Sequence, residues 1–494
     1  MLAAAGAQAL PDSATLRDRM RAAAGPLPAA YHEKVAFTST AGDGTIETFR
    51  RGADYREVTV TGPFRTERGA LKGEAWHQNA NGIVISDAPD AGIARTDSFT
   101  TTVSRGAPPE NYYVISTLNA ANFGSRQSID PATYRLVRAE TIGANGTTTT
   151  VYDAFKSFGS RTLPAHWTVR NEANRTVTEA TLVEYSTDGV LPKNLEIPPL
   201  REVVEFPAGL ASVDLPVKMY NNRVYVRVDI AGRGLDFLLD TGASGITIDE
   251  SVAQELGLAA LTSQSSVTAQ RFTLGRTIVP EMHVGPLAMR NIAVARIPQP
   301  PERFADVRVA GLLGFDFLAE LGVTIDYEHR SVTVVPANRY HPPAGAPQFP
   351  LDVRMNTGQP MVTVRLNGVP AERMLLDTGA SGTFLLFEYF ARLHPEVLRD
   401  RAGAAGVAGP RTFTGVGGTF TAEPYRIDEL TLGGINFQQF VGYRVTSKGA
   451  YAVAQDGLIG TDFLHLFTVG LDYAHGHVDL VPNGEGRRAM RLSK

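Results

Sequence analysis

Apolar and polar positions alternate with the period of two expected of half-buried strands over much of this chain, between turns of Gly, Asn and Asp. From about Tyr31 to Tyr185 the pattern is carried by β-branched and aromatic runs such as Tyr55-Arg-Glu-Val-Thr-Val-Thr and Thr147-Thr-Thr-Thr-Val-Tyr. It predicts an antiparallel β-domain over residues 26–200, after a leader or remnant signal segment at 1–25. Proline-rich stretches, Leu191–Pro216 and Pro336–Pro350, then interrupt the pattern and read as linkers, because proline disfavours both helix and ladder pairing. They divide the chain into three.

The last two thirds repeat themselves. Leu215-Pro-Val-Lys-Met-Tyr-Asn-Asn-Arg-Val-Tyr-Val-Arg-Val-Asp matches Leu351-Asp-Val-Arg-Met-Asn-Thr-Gly-Gln-Pro-Met-Val-Thr-Val-Arg in pattern, and each precedes an identical Leu-Leu-Asp-Thr-Gly-Ala-Ser-Gly, from Leu238 and from Leu375. Both copies close with Gly-Leu-(Leu/Ile)-Gly-x-Asp-Phe-Leu and a β-rich tail ending Val-Pro, at 311–336 and 457–482, where 13 of 26 ungapped positions are identical. The closing element begins 71 residues after Asp240 and 80 after Asp377. Two homologous lobes are therefore expected, at 205–337 and 346–484. The linker between them, about 15 residues at roughly 3.1 Å each if extended, reaches across a lobe, and pairing within one chain is the simpler arrangement.

Composition narrows the function. With 47 Lys and Arg against 51 Asp and Glu, a net charge of −4 provides no field for nucleic acid or an anionic membrane. The chain has no Cys, so disulfides, thiolate chemistry and Cys-ligated zinc are absent. It has no stretch of 18 apolar residues, so an integral membrane helix is not expected. The first residues end in Ala7-Gln8-Ala9, an Ala-x-Ala pattern without the basic region that usually precedes it. This remnant points to a periplasmic or secreted protein, with a cytoplasmic one as the alternative.

The repeated motif suits chemistry done by two carboxylates. Held close together, Asp240 and Asp377 cannot both ionise, so they share a proton. The ionised member can take a proton from water while the other donates to a carbonyl, and no metal or cofactor is required. Thr241 and Thr378 offer hydroxyls that can bond across a two-fold axis, Gly242 and Gly379 allow a tight turn, and Ser244 and Ser381 can cap the loop or bond a substrate backbone. Asp316 and Asp462, opening short Asp-Phe-Leu helices, read as N-caps, and Asp326 and Asp472 as structural. His475-Gly-His477 lies in a turn and reads as solvated rather than metal-binding.

On these motifs the region from about 205 to 484 resembles retropepsin-like aspartic peptidases in tandem single-chain form. Ala243 and Ala380 after the glycine match the retroviral version, and Gly-Leu-Leu-Gly314 and Gly-Leu-Ile-Gly460 match the element that packs under the active-site loop in that family. The resemblance implies two β-barrel lobes, catalytic Asp240 and Asp377, a polypeptide substrate, and a glycine-tipped flap over the cleft. Lobe two offers Gly415, Gly417 and Gly418 for that flap, whereas lobe one offers Arg271-Phe-Thr-Leu-Gly275 with one glycine, so unequal cover from the two sides is expected. In the N-terminal third, Gly73-Glu-Ala-Trp76, Tyr152-Asp-Ala-Phe and Leu163-Pro-Ala-His-Trp are similar to the half-barrel sheets of periplasmic lipoprotein carriers, which implies a curved sheet and a lipid or peptide ligand. The fold expected is mainly β. The functional alternative is a non-catalytic envelope protein that binds peptide or lipid on these scaffolds, although loss of catalysis would most simply show as replacement of one aspartate.

Overall fold

A computed structural model of the chain describes residues 10–86, 98–120, 122–143, 146–172, 175–267, 271–298, 303–304, 307–343, 345–353, 358–382, 384–398, 409–415, 418–447 and 455–492. The chain forms two compact units, one of residues 1–59 with 95–196 and one of 60–94 with 197–494.

In the first unit nine antiparallel strands pair in the order Gly44–Arg51, Ala30–Ser39, Val177–Ser186, Arg161–Asn171, Gly146–Phe158, Leu136–Gly143, Gly124–Ile129, Tyr113–Leu118 and Thr100–Arg105. Most of their residues are half-buried, as expected of a sheet whose faces are incompletely covered. The helix Ser13–Ala24 starts at Asp12, whose carboxylate accepts from the Thr15 amide at 2.7 Å. Its Leu16 is fully buried among Tyr113, Ile115 and Ile129. That helix thus closes one region of the sheet.

The second unit contains both lobes and a leading three-stranded piece, Phe64–Leu71, Glu74–Gln78 and Val84–Ser86. The last turn of this piece, Asn79-Ala-Asn-Gly82, is followed by Ile83 and Ile85, which are buried in the same core as the lobe residues Met289 and Phe317. In each lobe the strand before the motif (Arg233–Leu239, Val369–Leu376) runs parallel to the closing-element strand (Val307–Leu313, Gly457–Ile459). The strand just after the motif (Thr247–Asp249, Phe384–Leu386) packs antiparallel on the other side of that same strand. Each aspartate therefore leaves its strand at a loop straddling the closing element, fixed by Asp240 N to Leu313 O and Asp377 N to Ile459 O, both 2.9 Å.

A six-stranded sheet joins the lobes. Leu321–Asp326 of lobe one pairs antiparallel with Phe467–Asp472 of lobe two, with Ser331–Pro336 and Val213–Asp214 on one flank and His477–Pro482 and Gln348–Pro350 on the other. The tails ending Val-Pro supply this junction, so pairing occurs within one chain. Val323, Ile325, Val469 and Leu471 are each 0% exposed there, which makes the joint part of a continuous apolar core.

Candidate active site

The motif loops meet across a pseudo-two-fold axis. Thr241 Oγ1 donates to Leu376 O at 2.5 Å and accepts from Thr378 N at 3.0 Å. Thr378 Oγ1 answers, donating to Leu239 O at 2.8 Å and accepting from Thr241 N at 3.1 Å. Both threonines are 0% exposed. Four reciprocal hydrogen bonds in a dry setting fix the registry of one loop against the other, and losing either hydroxyl strands buried partners in the opposite lobe. Thr378→Val, nearly isosteric, is expected to lower unfolding stability by about 2–5 kcal/mol in denaturant titrations.

The glycines give the loops their closeness. A side chain at Gly242 would sit 2.7 Å from the Asp377 carboxylate, and one at Gly379 would sit 2.5 Å from the Asp240 carboxyl carbon. Each aspartate thus lies over the other lobe's glycine. Below, a side chain at Gly314 would meet Ala243 O at 2.4 Å, and one at Gly460 would meet Gly382 O at 2.0 Å. These contacts explain why the second glycine of the closing element recurs.

Asp377 Oδ1 accepts from Gly379 N at 2.8 Å and Ala380 N at 3.0 Å. Burial pushes the Asp377 carboxyl above the usual carboxylate range against these two amides. Asp240 is pushed well above it, by burial first and then by the charge of Asp377, with which it shares a hydrogen bond. That bond favours a protonated Asp240 and an ionised Asp377. Arg223, 7% exposed, biases the pair in the same sense, because its charge favours ionised Asp377. The strand residues leading into each motif are buried: Leu238 and Leu375 are 6% and 5% exposed, Leu239 and Leu376 0%.

The structure adds neighbours that the motif did not reveal. Gln359 holds the place in lobe two that Arg223 holds in lobe one, and its amide donates across to Gly242 O. Aligning the repeat strands would have picked out both. Tyr327, half-buried, and Tyr473, buried, are the residues after Asp326 and Asp472 and feel the dyad's charge, Tyr327 that of Asp377 and Tyr473 that of both aspartates. Asp326 and Asp472 accept from His329 and His475 at 2.8 Å and 2.7 Å, closing equivalent turns. Ser244 and Ser381 are exposed on the loops.

Two expectations change. Asp316 and Asp462 are not helix caps: the N-cap positions are Gly314 and Gly460, and Asp316 is 5% exposed with its carboxylate drawn back onto the motif loop. Nor does Gly275 mark a hairpin tip, although each lobe has a hairpin after its motif: Thr262–Val267 with Arg271–Val284, and Arg411–Gly415 with Gly418–Leu432. Gly275 pairs with Ser263 inside its ladder rather than at a tip, while Gly415 pairs with Gly418. Gly417 lies outside the described residues.

Residues 226–317 and 362–463, the bodies of the two lobes, match the family model described as "Aspartyl protease". Among solved structures the chain is similar to the aspartic proteinase from Irpex lacteus (12% identity, 57% of this chain and 100% of that one, TM-score 0.36). It is also similar to basic 7S globulin from soybean (12%, 55% and 96%, TM-score 0.35) and to a LolA superfamily protein from Nitrosomonas europaea (10%, 38% and 99%, TM-score 0.30). No curated protein matches.

Proposed function

We propose that this chain, whose two lobes each match the aspartyl protease family, is an aspartic endopeptidase with a single active site at Asp240 and Asp377. The observation that carries the reading is the half-buried carboxyl pair, each carboxyl seated over the opposite lobe's glycine, on loops held by reciprocal threonine bonds. Ionised Asp377 takes a proton from a water lying between the carboxyls, and that water's oxygen attacks the scissile carbonyl carbon. Protonated Asp240 donates to the carbonyl oxygen as it gains charge, and the proton on Asp377 then passes to the leaving nitrogen as the C–N bond breaks.

The pH dependence follows from the direction of the shifts. Both carboxyls are raised in the folded state, so the stability they contribute is present in acid and is lost as pH rises through their folded values. The shared proton leaves over that same rise, so cleavage declines on the alkaline side. The test is hydrolysis of casein and of a peptide library by the purified chain from ~pH 3 to ~pH 8. An acid-side maximum is expected. Cleavage absent throughout, or rising steadily with pH, overturns the proposal.

A further inference from the structure

The two lobes secure their catalytic loops by different means. In lobe two the residue after the closing element's second glycine is Thr461, and both its amide (2.8 Å) and its hydroxyl (3.0 Å) donate to Ala380 O. Lobe one has Phe315 there, so Ala243 O receives the amide, at 3.0 Å, with no hydroxyl beside it. The next residue makes up the difference. Asp316 Oδ2 accepts from Ile246 N, at the far end of the loop, at 3.2 Å.

Asp316 in turn is held by the chain ahead of the lobes. Asn79 Nδ2 donates to its Oδ1 at 2.6 Å and Asn81 Nδ2 to its Oδ2 at 2.9 Å. With Ile246 N, three donors converge on one carboxylate. Neither asparagine is free to turn away: Asn79 Oδ1 accepts from Asn81 N (3.0 Å) and Ile83 N (3.1 Å), and Asn81 bonds both Ala293 N (2.8 Å) and Ala293 O (2.9 Å). Asn81 is 2% exposed. Lobe two's counterpart, Asp462, is half-buried and carries no comparable set among the described residues.

We propose that the Asn79–Gly82 turn is a positioning element for the catalytic loop of lobe one, acting through Asp316 on residues 240–246. The segment that precedes the lobes is then part of the catalytic machinery and not an attachment to it. This rests on the peptidase reading as far as turnover is concerned, while the mechanical link is independent of it. Burial raises the Asp316 carboxyl to about 6, and Arg276, whose guanidinium lies 5.9 Å from the Phe64 ring of the leading segment, is the cation facing it. The turn and the cation both favour the ionised acceptor.

The test compares full-length wild type, Asn79→Ala and Asn79→Asp. Asn79→Ala removes one donor and the single oxygen that accepts both turn amides. It is expected to lower kcat about tenfold with KM within about twofold, and to speed hydrogen exchange of the 240–246 amides by about tenfold. Asn79→Asp keeps the turn acceptor but sets a second carboxyl against Asp316, so that the contact survives only while the two share a proton. In acid this variant should match wild type in both readouts, falling to the Asn79→Ala level as pH rises. Unchanged exchange and kcat in Asn79→Ala overturn the proposal, as does an Asn79→Asp profile parallel to wild type throughout or equal to Asn79→Ala throughout. Should Asn79→Ala fail to fold, the Asn79→Asp profile decides. If wild type cleaves nothing, the peptidase reading fails, and the exchange rates still decide whether the turn holds the loop.

Discussion

Replacing Asp377 by Asn leaves the fold intact and lowers peptide cleavage by about a thousandfold or more, the scale on which loss of a general base acts. Asn keeps the size of the side chain, and its amide oxygen can still accept from Gly379 N and Ala380 N, so the loop stays in place. What is lost is the ionised acceptor for the water proton. Asp240→Asn is expected to be equally inactive for the complementary reason, since it removes the acidic proton held beside Asp377. The two variants should also share a stability signature. In wild type, ionising the second carboxyl of the pair costs stability as pH rises through the raised values. With one carboxyl neutralised that loss shrinks, so melting temperatures of either Asn variant should fall less than wild type's between acid and neutral pH. Cleavage at the wild-type rate by either variant eliminates the dyad mechanism.

Gly379→Ala is the second large effect. A methyl there would lie 2.5 Å from the Asp240 carboxyl carbon and 2.7 Å from both its oxygens, closer than carbon atoms pack, so the carboxyl has to move. Displacements of about 1 Å in a reacting group cost on the order of a hundredfold in rate, and that is the expected loss in kcat. Gly242→Ala presses on Asp377 in the same way, from 2.7 Å. Gly409→Ala serves as the control, because nothing lies within 4 Å of the added methyl. Circular dichroism should be unchanged in all three, and a Gly379→Ala enzyme with wild-type kcat would show that the carboxyls need not sit over the opposite glycines.

The dyad, the threonine bonds and the closing element could be read from sequence because each lobe states them in the same residue types at the same place. A chemistry that needs two like parts leaves a repeat. The features that sequence hid are those where the lobes differ or where partners are remote. Asp316 reads as a cap because Asp near a short helix start commonly caps, but Gly314 already fills that position and Asp316 turns towards the Ile246 amide. Its other partners, Asn79 and Asn81, are 237 and 235 residues away, in a segment whose hairpin pattern looks no different from its neighbours. Gly275 misleads for a local reason: it pairs with Ser263 inside the Thr262–Val267 and Arg271–Val284 ladder, and that hairpin forms without a glycine cluster beside its tip. Arg223 and Gln359 stand at matched positions of the repeat strands, so the alignment picks them out as a pair, but their unlike side chains give no role until the fold places both at the dyad.

The sheet that joins the lobes has a further consequence. Because Leu321–Asp326 and Phe467–Asp472 pair within one polypeptide, the two halves meet at an effective concentration fixed by the linker and not by the amount of protein present. Activity per molecule should therefore be indifferent to dilution. The two half-sites were also free to drift apart in sequence, as Arg223 from Gln359 and Phe315 from Thr461, since no substitution in one lobe had to be tolerated by a second copy of itself.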